Sequence, residues 1–344
     1  MQALSSTTNK RPYLATLALA AALAMTQLGG CGCGFDCNSE GDDNTPTGTL
    51  TLGVSDAPLD EVSEVVLVID QVILRGNGIE DVTIDVFTVD AAEADRVSVD
   101  LVQYPGLSQL IIIEALELAA GTYTTVELVI LDGDVNFSYV VDIEGQKPLD
   151  ADSSGLLLSG ISIDSGSDHS YTLEFELGQS LSSNEDSSSY LLRNQGVRVI
   201  DNSVSASVGG SISSDLFSEG EACSAKLDPL AGNRVYLYNG HNLVKADLAD
   251  VHTTDSSTTV PAAAIAPLAL TLPRFNDSFA RWDYIIAYLP AGDYTLAFSC
   301  AAEDDDPINY NGFELPAPTT QLYEITLAAG ASSTCNLTDA ADCE

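Results

Sequence analysis

The sequence predicts an all-β protein built as two β-sandwich domains in tandem. Three observations carry that expectation. Short runs rich in Val, Ile, Thr and Tyr recur along residues 49–328, broken by clusters of Gly, Asp, Asn and Ser, the punctuation of strands and turns. Helical periodicity is almost absent. The pattern Leu-x-Ala-Gly-x-Tyr-Thr also occurs twice, as "LAAGTYT" over 118–124 and "LPAGDYT" over 289–295, each time between two apolar strand-like runs.

Taken in order, strands are expected at 49–55, 64–74, 82–89, 124–131, 135–142, 156–163, 170–177 and 190–200. "SYTLEFEL" (170–177) alternates strictly, with Tyr171, Leu173, Phe175 and Leu177 on one side and Thr172, Glu174 and Glu176 on the other. That pattern reads as a half-buried strand. "SVGGSISSD" (207–215) reads as a hinge, dividing a first domain at 48–208 from a second at 214–344. Strands of the second domain are expected at 234–240, 282–290, 293–300 and 320–328, with a long extended connection over 258–275. The repeated Leu-x-Ala-Gly-x-Tyr-Thr carries no nucleophile, base or phosphate cradle, so it reads as architecture. Its glycine, Gly121 or Gly292, suits a positive-φ turn, and Tyr123 or Tyr294 fills the core or caps the sandwich end.

The N-terminus reads as an export signal. Lys10 and Arg11 precede an apolar run from Leu14 to Leu28, shorter than the roughly 20 residues of a membrane span and suited to a secretory core. "LGGC" (28–31) follows directly and resembles the lipobox of bacterial lipoproteins. The resemblance implies a signal peptide at 1–30, acylation of Cys31 and anchoring through that lipid rather than spanning. Gly32, not Asp, follows Cys31, which by the same analogy favours the outer membrane over the inner. Residues 31–47 then serve as anchor and acidic, turn-rich tether.

Export agrees with the cysteines. Besides Cys31 there are Cys33, Cys37, Cys223, Cys300, Cys335 and Cys343, an even set in an oxidising compartment. Cys33 and Cys37 are local neighbours. Cys223 is expected to pair with Cys300 because both edge strand-like segments, leaving Cys335 for Cys343. Zinc is disfavoured because none of the 3 His residues lies near a cysteine pair.

The chain holds 51 acidic against 12 basic residues, a formal charge of −39. That field repels nucleic acid and anionic lipid headgroups and makes divalent cations suitable partners. Candidate calcium ligands are Asp56 in "SDAPLDE", Asp132 and Asp134 in "LDGDVN", and Asp304, Asp305 and Asp306 in "AEDDDP". The Asp132–Asn136 spacing resembles the start of a calcium loop, but no glutamate occupies the closing position of an EF-hand. The alternative is that these acids cap turns and face solvent. "RFNDSFARWDY" (274–284) offers Arg274, Arg281 and Trp282 as a carbohydrate or protein contact; alternatively its aromatics close the core and its arginines pair with local acids. His169, His241 and His252 stand alone and no Gly-x-Ser-x-Gly turn occurs, so an enzyme is not expected. Lys226 in "KLDPLAG" is reminiscent of surface modules with a Lys–Asn isopeptide bond, but the sequence suggests no asparagine partner.

The first half resembles bacterial domain-of-unknown-function family 4382 in "GTLTLGVSDAPLDEVSEVVLVIDQV" (48–72), "VDLVQYPG" (99–106), "ELAAGTYTTVELVI" (117–130) and "YLLRNQGVRVI" (190–200). The resemblance implies a secreted or lipid-anchored β-sandwich without an established activity. "LDPLAGNRVYLYNG" (227–240) followed by "LPAGDYTLAF" (289–298) resembles prealbumin-like, carboxypeptidase-regulatory sandwiches. The expected function is a non-catalytic binding, adhesion or structural module of the cell envelope. The alternatives are a calcium-stabilised carbohydrate- or peptide-binding protein and an unrecognised hydrolase.

Overall fold

The structure is a computed structural model that describes residues 45–344 except 58, 60–61, 90, 153–154, 185, 251–258, 304, 307–308 and 339–341. The expected signal peptide, Cys31, Cys33 and Cys37 therefore lie outside the described residues. Among the described residues no helix is long and apolar enough to cross a membrane.

The β-branched runs do form strands, and they pair into two sandwiches. In the first, a sheet ordered Val197–Asp201, Asp168–Glu176, Thr47–Ala57, Leu110–Ala119 faces a larger sheet. The long Val62–Gly76 strand lies central in that larger sheet and takes Gly121–Ile130 as one partner and Tyr139–Asp142 as another. Alternating side chains of both sheets meet in a core running from Leu50 to Leu192, with Leu50, Leu67, Phe87, Tyr123 and Phe175 fully enclosed. In the second sandwich, Ala206–Ile212 lies between Arg281–Leu289 and Ser332–Asn336, and faces a sheet built on Arg234–Asn239 and Gly292–Ser299. Its core includes Val208, Val235, Leu296, Phe298 and the Cys223–Cys300 disulfide.

The two sandwiches repeat one topology. Thr47–Ala57 pairs antiparallel with Leu110–Ala119 and parallel with Asp168–Glu176. Ala206–Ile212 pairs antiparallel with Arg281–Leu289 and parallel with Ser332–Asn336. On the facing sheets, Gly121–Ile130 lies between Val62–Gly76 and Leu156–Ile163, as Gly292–Ser299 lies between Arg234–Asn239 and Tyr323–Leu327. The Leu-x-Ala-Gly-x-Tyr-Thr motif sits at the same corner of each copy, where the chain leaves one sheet for the other. Tyr123 donates its hydroxyl to the Ala119 carbonyl at 3.2 Å, and Tyr294 donates to the Pro290 carbonyl at 2.8 Å. Each tyrosine ring is buried and ties the corner to the residue four positions upstream. Each motif is also preceded by a bulge with a non-glycine residue at positive φ, Ala115 at 47° and Tyr288 at 51°. The expected positive-φ turn holds for Gly121 at 154° but not for Gly292, where a Cβ would instead meet the Tyr294 ring at 3.4 Å.

Two expectations are corrected. The segment 207–215 is no hinge: Ala206–Ile212 is a strand inside a sheet, and the chain passes between sandwiches after Asp201. Its glycines serve close packing rather than freedom, since a Cβ on Gly210 would lie 2.2 Å from the Cys335 carbonyl oxygen. The Asp168–Glu176 strand is also not half-buried. Thr172, Glu174 and Glu176 are as enclosed as Leu173 and Phe175, because the polar face is where the second sandwich docks.

That docking seam is polar and specific. The Glu176 carboxylate accepts from the Arg198 guanidinium at 3.0 Å and from the Leu270 amide at 3.2 Å, while Arg198 also donates to the Leu268 carbonyl. Gln179 donates to the Pro267 carbonyl, and Tyr288 donates to the Leu107 carbonyl. Ile200, Ala287 and Tyr288 form a small apolar cluster beside these bonds. Gly178 is needed for the approach, since a Cβ there would meet Leu270 at 2.9 Å.

Candidate functional site

Acidic side chains recur in the interior, and three places concentrate the chemistry. The first is the seam. Asp56 ends the first strand, is fully buried, and neither of its carboxylate oxygens has a hydrogen-bond partner. Burial lifts its pKa well above the ordinary value, Glu174 and Glu176 add to the rise, and Arg274 opposes it. Glu174 is raised likewise by burial, against Arg198, and its Oε2 is unpartnered. Ser55, directly opposite Glu174 in the strand pair, donates to the Tyr104 and Gly106 carbonyls. Beside the seam opens a cavity of about 280 Å³, walled by Pro105, Gly106, Leu272, Tyr284 and Ile285 with Arg274 at its edge.

The second place is the hairpin of Arg274–Asn276 and Arg281–Leu289. Trp282 is half-buried, edge-on between Phe217 at 5.1 Å and Phe275 at 5.3 Å. The Arg281 guanidinium lies 5.0 Å from the Phe279 ring centre and donates to Asp283 at 2.7 Å. Part of this segment thus closes the core and pairs with a local acid, while Phe275 and Phe279 remain 50% and 68% exposed. An exposed ring under a guanidinium is a surface that apolar and cation-accepting partners can use.

The third place lies on the outer face of the second sandwich. Arg234, Tyr236 and Tyr238 alternate along one strand and so project to one side, among Leu248, Ala302, Phe313 and Leu315. Asp305 receives Arg234 at 2.6 Å and the Tyr236 hydroxyl at 2.7 Å, all on Oδ2. Asp250 receives the Asn311 and Gly312 amides on its own Oδ2 at 2.7 and 2.8 Å. Oδ1 of each aspartate is buried without a partner. Burial pushes Asp250 up to about 6, two backbone amides opposing and Asp305 adding to the rise.

The described members of the expected calcium set are not gathered into one group of three or more acids. Asp132 accepts the Ala151 amide, and Asp134 caps its own turn through Asn136. Asp306 binds the Asn309 amide and side chain. Asp304 lies outside the described residues. No group of three or more His, Cys, Asp or Glu residues is placed to hold a metal among the described residues. Asp250, which the sequence reading passed over, carries no motif; its role comes from chain segments that fold over it. The expected pairs Cys223–Cys300 and Cys335–Cys343 are both present. Lys226 does have an asparagine, Asn233, at 2.9 Å, but its ammonium also donates to the Pro229 and Ala231 carbonyls. Three acceptors around three N–H bonds suit a charged ammonium that ties a turn rather than a nucleophile.

The first sandwich can be placed by sequence. Residues 47–194 match a profile described as a domain of unknown function, DUF4382. No curated protein matches the chain. Among solved structures, the Bacillus anthracis TIE protein aligns at 11% identity over 85% of this chain and 34% of its own, with a TM-score of 0.19. A leucine-rich repeat protein from Bacteroides thetaiotaomicron aligns at 12% identity over 85% of this chain and 26% of its own, at 0.21. A candidate cell adhesion protein from Bacteroides fragilis aligns at 10% identity over 83% and 85%, at 0.19. The chain thus spans about a third and a quarter of the first two proteins. At these scores none of the three informs the reading of this chain.

Proposed function

We propose that the chain is a lipid-anchored, non-catalytic module of the cell envelope. Cys31 fixes it to the outer membrane, and a joined pair of sandwiches presents the 274–284 hairpin to a carbohydrate or protein partner. The observation that carries the binding half is the outward apolar face of that hairpin, Phe275 and Phe279 with Arg281 stacked on the latter. Phe275 still packs edge-on against Trp282, but the more exposed Phe279 takes no part in the core that Trp282 helps to close. The envelope half is supported by the two disulfides of the second sandwich, which belong to an oxidising compartment.

Two experiments test the halves separately. Cell fractionation should find the wild type in the membrane fraction and Cys31→Ser in the soluble one; a membrane-bound Cys31→Ser protein would defeat the anchor. On arrays of immobilised glycans and envelope proteins, wild-type retention should fall at least tenfold in Phe279→Ser/Arg281→Ser. Unchanged retention would remove the hairpin from the account.

A further inference from the structure

We propose that Asp250 and Asp305 form a binding site for one divalent, oxygen-seeking cation of the calcium type on the outer face of the second sandwich. Two carboxylates and one guanidinium, that of Arg234, are enclosed together there; Asp250 is 2% and Asp305 6% exposed. Among the described residues one negative charge is left without a counter-charge, which enclosure disfavours. The hydrogen bonding is lopsided in the same sense on both residues. Each Oδ2 is saturated, Asp305 by Arg234 and Tyr236 and Asp250 by two backbone amides, while each Oδ1 is buried and unpartnered. Buried carboxylate oxygens are nearly always satisfied, so two orphans in one enclosure point to a missing partner.

The donor set selects the cation. Among the described residues, the charged or titratable groups around the enclosure are Asp250, Asp305, Arg234, Tyr236, Tyr238 and Tyr310. Neither histidine nor thiolate is among them, which disfavours zinc and other softer metals. Carboxylate oxygens suit calcium, whose flexible shell takes its remaining ligands from carbonyls and water. The Tyr236 and Tyr238 hydroxyls stay protonated at neutral pH, held up chiefly by burial and then by the aspartates. They cannot supply the missing positive charge. The proton is the rival occupant.

The experiment is a terbium and calcium titration of the full chain at constant ionic strength. Terbium accepts excitation energy from nearby tyrosines, so Tyr236 and Tyr238 should sensitise its emission, and calcium should reverse the signal at far lower concentration than magnesium. Asp250→Asn and Asp305→Asn should each weaken binding at least tenfold, while the exposed-turn variant Asp134→Asn leaves it unchanged. Absence of sensitised emission in the wild type overturns the proposal without recourse to any variant. Equal binding by the wild type and Asp250→Asn overturns it as well, and so does emission displaced alike by both ions, which would mean a diffuse cloud on an acidic surface.

Discussion

Replacing Arg198 with Met tests whether the seam holds the sandwiches together. The change removes a guanidinium that donates to Glu176 and to the Leu268 carbonyl, and keeps the apolar stem. Glu176, fully buried, then retains only the Leu270 amide, and nearby Glu174 loses the one cation that opposes its rise. Breaking a buried pair by removing one partner costs about 3–5 kcal/mol, which corresponds to a fall in Tm of roughly 5–8 °C for a protein of this size. The pH dependence follows from sign. Glu176 is already raised above 4.5 by burial, with Arg198 opposing, so without Arg198 its folded-state pKa climbs further. A group raised in the folded state loses its stabilising contribution as pH rises from its unfolded value through its folded one. The penalty should therefore be smaller at pH 5 than at pH 8.

The assay is urea unfolding followed by circular dichroism and by fluorescence of Trp282, the single tryptophan and a reporter of the second sandwich alone. Wild-type curves should coincide, and Arg198→Met should separate them. Adding Glu176→Gln to Arg198→Met should recover at least half of the loss, since the neutral amide needs no counter-charge. A loss under about 0.5 kcal/mol, the range of an exposed ion pair, would refute the reasoning.

Other outcomes can be checked alongside. In chelator, Asp250 at about 6 against an unfolded 3.8 makes stability fall by about 3 kcal/mol as pH rises from 4 to beyond 6, and Asp250→Asn should flatten that slope in equilibrium melts. Tyr123→Phe and Tyr294→Phe each remove one corner hydrogen bond and should cost about 0.5–1.5 kcal/mol apiece, similar in the two copies if the corners are equivalent. Cys223–Cys300 spans 77 residues and Cys335–Cys343 spans 8, so on loop entropy removing the first should cost about 4.5 kcal/mol and the second about 2.5. Gly178→Val should drive a side chain into Leu270 and destabilise by about 1–3 kcal/mol.

The strands that were legible in sequence were those with one apolar face or dense β-branching, such as Leu156–Ile163, found at its expected bounds. Leu110–Ala119 was legible only as an apolar run before its motif, without bounds, and Ala206–Ile212 was not legible. The first carries a bulge at Ala115 that breaks its alternation, and the second carries two glycines whose purpose is contact with a neighbouring strand. The twin motif did announce a repeated corner, because its tyrosine bond is local in sequence. The seam was hidden for the opposite reason. Thr172, Glu174 and Glu176 alternate as a solvent face would, and packing across the seam makes them interior, with Leu270 at Glu176 and Tyr288 beside Glu174 and Thr172. Asp250 and Asp305 share that blindness, being separated along the chain and joined only by loops that close over them.

The central claim is that two copies of one sandwich topology have become a single cooperative body through the Glu176–Arg198 seam. Scanning calorimetry of the wild-type chain at pH 7 tests it most directly. The account predicts one transition whose calorimetric and van't Hoff enthalpies agree. Two resolved transitions, with Trp282 fluorescence following only one of them, would show the sandwiches to be independent and would contradict it.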